Sequence, residues 1–407
     1  MRKVLNAAVI ISALGYFIDV FDLLLFGVLR VKSLTSLGIP KEELVNAGIT
    51  LQNWQMAGLL LGGIASGIIG DKFGRVRALY LSILLYSIAT IMNGFVTNLE
   101  LYAFCRFVAG IGLAGEIGAG ITLVVESLPK ENRGVGTTIV AAFGMMGAIA
   151  AGCMDWVISD WRTAYFLGGG LGIGLLLLRL SVAESTMFEA IKGQKGVKKG
   201  DFLALLNNRK RLGKLLKSTF LGVTTWFNVG ILMILAPEFG AAKGITVPIT
   251  AALSVVWFHV GMSIGDFASG MISQWFKSRL KAMRLFLAMQ VLFVSLYLFM
   301  PNQSTFIFYA LLTLLGFSGG FWAVFITNAS EQFGTNLRAT AASTIPSLVR
   351  GLFIPIAMFF KFLKTPEQLG STVNAAAIVG VFCIGLAFWA SFTLEDTFDK
   401  DLDNLEY

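Results

Sequence analysis

Charge is scarce in this chain: Asp, Glu, Lys and Arg make up 14% of its 407 residues, against 56% hydrophobic. Soluble domains carry roughly a quarter charged residues and cannot bury so much apolar surface. The composition therefore excludes a water-soluble protein and predicts a polytopic membrane protein. Histidine and cysteine are scarce too: one His, His259, and three Cys, Cys105, Cys153 and Cys383. The cysteines all fall inside apolar segments with neither disulfide nor metal spacing, so they read as small packing residues. There is no His/Cys cluster, nucleotide loop or G-x-S-x-G elbow, so no enzyme, metal site or cofactor is expected. The net charge of +8 suggests nucleic acid as a partner, but the bases sit in short loops between apolar stretches. There they meet an anionic lipid surface instead.

What the chain does have is apolar segments of roughly 17–25 residues, the length that crosses a bilayer. They fall near 5–30, 47–70, 77–95, 99–125, 134–156, 162–182, 215–237, 249–274, 283–300, 305–329, 339–361 and 370–393. Twelve spans predict an all-α protein with both termini on one side. The longest polar interval divides it into an N-terminal six-helix bundle (1–182), a linker (183–214), a C-terminal six-helix bundle (215–395) and an acidic tail (396–407). The linker holds Lys192, Lys195, Lys198, Lys199, Arg209, Lys210, Arg211 and Lys214, which marks it as cytoplasmic. The opposite side holds only Arg30, Lys32, Lys41, Arg162, Lys243, Lys361 and Lys364. A roughly threefold excess of bases thus places both termini, the linker and the tail in the cytoplasm. Met1-Arg2-Lys3 leads into an apolar run too long for a cleavable leader, so none is expected.

The two halves repeat one another. Gly62-Gly63-Ile64-Ala65-Ser66-Gly67 aligns with Gly265-Asp266-Phe267-Ala268-Ser269-Gly270, and Glu126 to Arg133 aligns with Glu331 to Arg338. The offsets, 203 and 205 positions, are nearly equal. After the first run comes Gly67-Ile68-Ile69-Gly70-Asp71-Lys72-Phe73-Gly74-Arg75-Val76-Arg77. Gly67 and Gly70 let two helices approach closely, Gly74 supplies the φ > 0 position of a tight turn, and Asp71 can cap the next helix and hold a base. The bland reading is a basic loop that only anchors topology. In the second copy Gln274 stands where Asp71 stood, so the first loop is expected to be the stronger conformational latch.

The Gly-x-x-x-Asp-Lys-x-Gly-Arg-x-Arg spacing resembles the signature loop of the major facilitator superfamily of transporters. Two spans narrow the resemblance: Gly15-Tyr16-Phe17-Ile18-Asp19-Val20-Phe21-Asp22 in the first, and Arg106 with Gly115-Glu116 in the fourth. Both are similar to the metabolite:H⁺ symporter branch, the dicarboxylate, shikimate and proline–betaine carriers. Glu126-Ser127-Leu128-Pro129 with Arg133-Gly134, Trp161-Arg162, and Glu331 with Asn336-Leu337-Arg338 fit the same pattern. Here Asp19 stands where the branch usually has Glu, and Phe21 replaces Tyr. The resemblance implies alternating access between two six-helix bundles around a midplane cavity, in a bacterial inner membrane. It also implies proton-coupled uptake of a small organic acid or zwitterion by a monomer whose partners are that substrate, protons and lipids. Gly67, Asp71, Gly74, Arg75, Arg77, Glu126, Arg133, Glu331 and Arg338 would form the latches. An uncoupled facilitator and an exporter are the alternatives. From another class, a transporter-like membrane sensor is a further alternative; such sensors usually gain a sizeable soluble domain, whereas the longest polar interval here is about thirty residues. Drug–proton antiporters carry a Gly-Pro pair in the fifth span, where this chain has Gly144-Met145-Met146-Gly147.

Ionisable groups inside apolar spans are costly and are functional candidates by default. Asp19 and Asp22 are three residues apart on one helix face. At about 1.5 Å per residue they lie ~21–26 Å along the first span, and Arg106 lies ~10 Å into the fourth from the other side. In a core ~30 Å thick these depths coincide. A carboxylate that changes partner between states can take up and release a proton, whereas a permanent Asp22–Arg106 pair would only join two helices. Glu116 reads either as a second protonation site or as a neutral interhelical carboxyl. Arg350, near Pro346 and Pro355, could join Arg106 in gripping a substrate carboxylate or pair structurally with Asp266. His259 reads as a hydrogen-bonded packing residue ahead of a proton relay. Trp54, Gln55, Trp226, Asn228, Trp322, Asn328 and Trp389 are candidate cavity-lining residues, with interfacial belts and interhelical glue as their commoner fates.

Overall fold

The computed structural model describes residues 6–73, 75–128, 133–179, 205–301 and 304–398; the side chains at 67, 70–73, 75, 116–122, 125–127, 133–135, 137–138, 335–336 and 338–339 fall outside the description. All regular structure among the described residues is helical, in two compact units, Met1–Leu203 and Ala204–Tyr407. The expected linker lies largely on residues outside the description.

The first unit holds α1 (Ala7–Ser36), α2 (Leu44–Phe73), α3 (Arg75–Asn93), α4 (Leu99–Ser127), α5 (Arg133–Val157) and α6 (Trp161–Arg179). Polar residues set the helix starts. Asn6 Oδ1 accepts from the Val9 amide at 2.9 Å, and Asn98 Oδ1 from that of Leu101 at 2.8 Å. Asp160 accepts from the Thr163 hydroxyl at 2.9 Å and its amide at 3.1 Å, and these bonds hold its carboxyl below the usual carboxylate range. The first helix runs six residues past its expected end. Arg30, expected in a loop, is instead fully buried and donates to the Leu44 carbonyl at 3.4 Å.

The second unit is more broken. Its elements are α7 (Arg209–Leu221), α8 (Val223–Phe227), a π-helical segment (Asn228–Met233), α9 (Ala236–Ala242), α10 (Ala251–Phe276), α11 (Arg279–Phe299), α12 (Thr305–Gly319), α13 (Trp322–Glu331), α14 (Thr335–Gly351), α15 (Phe353–Lys364) and α16 (Thr372–Thr393). Among the described residues ten stretches are long and apolar enough to cross a membrane. The remaining two spans are α2 and α4, 30 and 29 residues long. Three spans are assembled from more than one element: α7 to the π segment, α12 with α13, and α14 with α15.

Glycine brings a corresponding pair of helices in each unit into backbone contact. A Cβ on Gly58 or Gly62 of α2 would collide with the carbonyl oxygens of Phe107 or Ile111 on α4, and one on Gly110 would meet that of Gln55. In the second unit Gly261 and Gly265 of α10 lie against the carbonyls of Thr313 and Phe317 on α12, and Gly316 against that of Phe258. The repeated sequence thus encodes a repeated helix pair. In the turn after α10, Lys277, at the position equivalent to Gly74, is left-handed with φ 47°.

Candidate functional site

In the first unit the fold brings Asp22 and Arg106 into one buried neighbourhood. Asp22 is 1% exposed, and its Oδ1 accepts a 2.8 Å hydrogen bond from Thr90 Oγ1 on α3. Arg106 is wholly buried, with its Cζ 5.2 Å from the centroid of the Phe26 ring on α1. None of its guanidinium nitrogens has a hydrogen-bond partner among the described residues. The carboxylate and guanidinium therefore interact through space, without a direct bond. Asp19 is buried on the same helix.

One turn from Arg106, Tyr102 stands edge-on to Phe26 at 5.7 Å and shares a 2.6 Å hydroxyl contact with Tyr165 of α6. Tyr102 also donates to Ser33 Oγ at 3.3 Å. Trp161 packs on both tyrosines, and the Arg162 guanidinium lies 4.1 Å over the Trp161 ring. Thr90, Tyr102, Tyr165 and Ser33 were not singled out in the sequence. The four-residue step from Tyr102 to Arg106, one helical turn, could have drawn attention to Tyr102; nothing marks the others.

A second cluster closes one end of the second unit. Glu331 takes a two-pronged bond from Arg279, Nε to Oε2 at 2.7 Å and Nη2 to Oε1 at 2.8 Å, and Thr397 Oγ1 donates to Oε2 at 2.7 Å. Asn328, expected to line a cavity, donates here to Thr397 at 3.0 Å. Asp396 accepts from Ser278 Oγ and from the amides of Arg279 at 3.1 Å and Leu280 at 3.3 Å, capping α11. Asp396 to Phe398, the first residues of the expected tail, are thus built into this unit.

The other expected residues are dispersed. The side chains of Gly67, Asp71, Gly74, Arg75, Glu116, Glu126, Arg133 and Arg338 lie outside the described residues, and Arg77 is exposed on α3. Trp54 is half-exposed and edge-on to Phe107 at 5.7 Å, while Gln55 is buried. Trp226 is buried beside Phe353, and Asn228 opens the π segment, fully buried. Trp322 packs on Phe325, and Trp389, half-exposed, on Phe220. Arg350 is buried in the last turn of α14. Asp266 faces the start of α13, not Arg350. His259 is buried, its Nδ1 2.9 Å from the Val255 carbonyl oxygen, which fits a hydrogen-bonded packing residue.

A twelve-span helical protein in two repeated units, with a buried carboxylate and guanidinium inside a bundle, has the form of a membrane transporter. The chain belongs to the Major Facilitator Superfamily, whose family model matches residues 7–358. It is therefore an integral membrane transporter and not an enzyme. It is 24% identical over 400 residues to the putative niacin/nicotinamide transporter NiaP of Bacillus subtilis (strain 168), covering 95% of this chain and 93% of that one. To the inner membrane metabolite transport protein YhjE of Escherichia coli (strain K12) it is 25% identical over 417 residues, covering 94% and 93%. Its fold is similar to that of a D-xylose-proton symporter, with a TM-score of 0.75 at 15% identity over 97% of this chain and 99% of that one.

Proposed function

We propose that this chain is a proton-coupled symporter that takes up a small organic acid or zwitterionic metabolite by alternating access, with Asp22 as the proton carrier. The observation that carries the reading is a buried carboxylate held by one neutral hydroxyl, that of Thr90, beside a buried guanidinium to which it is not bonded. Such a carboxylate has no fixed ionic partner to lose when it is protonated, and the nearby positive charge rewards its return to the ionised form. Relatives named for niacin and nicotinamide, and a structural neighbour named as a proton symporter, support the size of the substrate and the choice of coupling ion. Within the first unit Arg106 would bind a substrate carboxylate, with Trp54 and Gln55 as candidate lining residues; within the second the corresponding candidates are Arg350, Trp226, Asn228 and Trp322. Asp19 and Glu116 are the other carboxyls of the coupling path. The latch residues would close the cytoplasmic side of a monomer in the bacterial inner membrane, both termini inside.

The test is uptake by proteoliposomes of labelled carboxylates, nicotinate first, with and without an imposed pH gradient. The expected outcome is accumulation only with the gradient. Asp22→Asn mimics the protonated carrier, so it should still exchange substrate across the membrane but fail to accumulate it. A merely structural acid predicts that folding and exchange fail together. Full gradient-driven accumulation by Asp22→Asn would exclude Asp22 as the carrier.

A further inference from the structure

The tenth span is broken at Gly320 and Phe321, between α12 and α13. A break inside a membrane strands backbone groups that water cannot reach, so each must find a partner in the protein. On the α12 side Gln290 of α11 supplies one, donating from Nε2 to the Ser318 carbonyl at 3.1 Å. On the α13 side the need is for an acceptor. The N-cap position is Phe321, which offers no side-chain hydrogen bond. In contrast α1, α4, α7, α10, α11, α12 and α16 are capped by their own Asn, Thr or Ser.

The acceptor comes from another helix. Asp266 Oδ1 of α10 accepts from the Ala323 amide at 3.3 Å, and the Trp322 amide also faces this carboxylate. Its charge is of the sign that a helix N-terminus favours. Close packing brings it there: a Cβ on Gly320 would run into the Met262 carbonyl and the Asp266 amide, so the break lies directly on the α10 backbone. The far end of α13 is clamped by the Arg279–Glu331 fork. The ten-residue α13, which carries Trp322 and Asn328, is thus held at both ends.

We propose that Asp266 is a positioning residue, an N-cap supplied by a neighbouring helix that fixes the direction of α13 at the break. The role requires an acceptor oxygen at this place, so Asn should substitute for Asp where Ala cannot. It depends neither on the substrate nor on which acid carries protons.

The test uses the full chain in nanodiscs and reads backbone hydrogen exchange. Asp266→Ala should speed exchange at Trp322 and Ala323 at least tenfold and leave α12 unchanged. Asp266→Asn should lie close to the wild type. In a cysteine-free background, spin labels at Thr327 of α13 and Val291 of α11 should give a broader distance distribution in Asp266→Ala than in Asp266→Asn, a difference that uniform loss of stability would not produce. Should the alanine variant fail to insert, Asp266→Ser, whose shorter side chain holds its oxygen farther from the helix start, serves for the same comparison. Unchanged exchange at Trp322 and Ala323 would overturn the proposal. So would an Asn variant as fast as the Ala or Ser variant, since the charge and not the acceptor would then matter.

Discussion

At the scale of single residues, the chemistry of the first unit depends on which buried polar groups share a partner. Tyr102 and Tyr165 are both fully buried and in hydroxyl contact at 2.6 Å, but among the described residues only Tyr102 has a second partner, Ser33. The two truncations should therefore differ. Tyr165→Phe leaves the Tyr102 hydroxyl bonded to Ser33, whereas Tyr102→Phe strands the Tyr165 hydroxyl in an apolar bundle at a cost of about 1–3 kcal/mol. Thermal unfolding in detergent should rank the wild type above Tyr165→Phe and Tyr165→Phe above Tyr102→Phe. The double variant should cost less than the two single costs added, because neither hydroxyl is then left behind. Equal losses from the two single variants would mean that the Ser33 bond contributes nothing. Sequence reading reached Asp22 and Arg106 because a charge inside an apolar run is conspicuous. Apart from the one-turn spacing of Tyr102 and Arg106, it had no signal for Tyr102, Tyr165 or Thr90, since such residues are ordinary in membrane helices and only the packing of α3, α4 and α6 brings them to the acid. The sequence offers Asp266 only as an alternative partner for Arg350; the role of its carboxylate as an acceptor for the Ala323 amide is not legible there, because that need arises only where the tenth span breaks.

At the scale of elements, composition reveals a span far better than its interruptions. The run 305–329 carries no charge and 215–237 only Lys217, yet one divides into α12 and α13 and the other passes into a π segment at Asn228. Hydropathy reports length and burial, while a break is decided by glycine placement and by partners on other helices. The end of the chain shows the same limit. Its acids look like a solvated tail, but Asp396 caps α11 together with Ser278. Asp396→Ala should therefore destabilise the protein by about 1 kcal/mol, the usual worth of a cap, and Asp396→Asn by less. The measurement is unfolding in detergent, joined to hydrogen exchange at Arg279 and Leu280. An Ala variant with wild-type exchange at both amides would show that Ser278 alone holds this helix start.

For the molecule as a whole, the duplication read from two short motifs reappears as two matching helix pairs. Gly62 and Gly265, 203 positions apart, do the same work: each presses its helix against a backbone carbonyl of the helix two spans later, Ile111 for Gly62 and Phe317 for Gly265. Where backbone meets backbone, a methyl group cannot be absorbed by rotating a side chain, so the helices must separate. Lost packing is expensive in a bilayer, because lipid supplies no hydrophobic drive to hold helices together. Gly62→Ala and Gly265→Ala should therefore each cost about 1–3 kcal/mol, the range for overpacking. Two other glycines supply the control. Around Gly174 and Gly270 an added Cβ meets nothing within 4 Å, and alanine is the better helix former by about 1 kcal/mol. Gly174→Ala and Gly270→Ala should thus be neutral or mildly stabilising. Unfolding of the four variants in the same detergent decides the matter: two matched losses and two non-losses mean that each unit is built on the same glycine-locked pair. If Gly62→Ala were costly and Gly265→Ala silent, the pairs would share a sequence pattern without sharing a mechanical role.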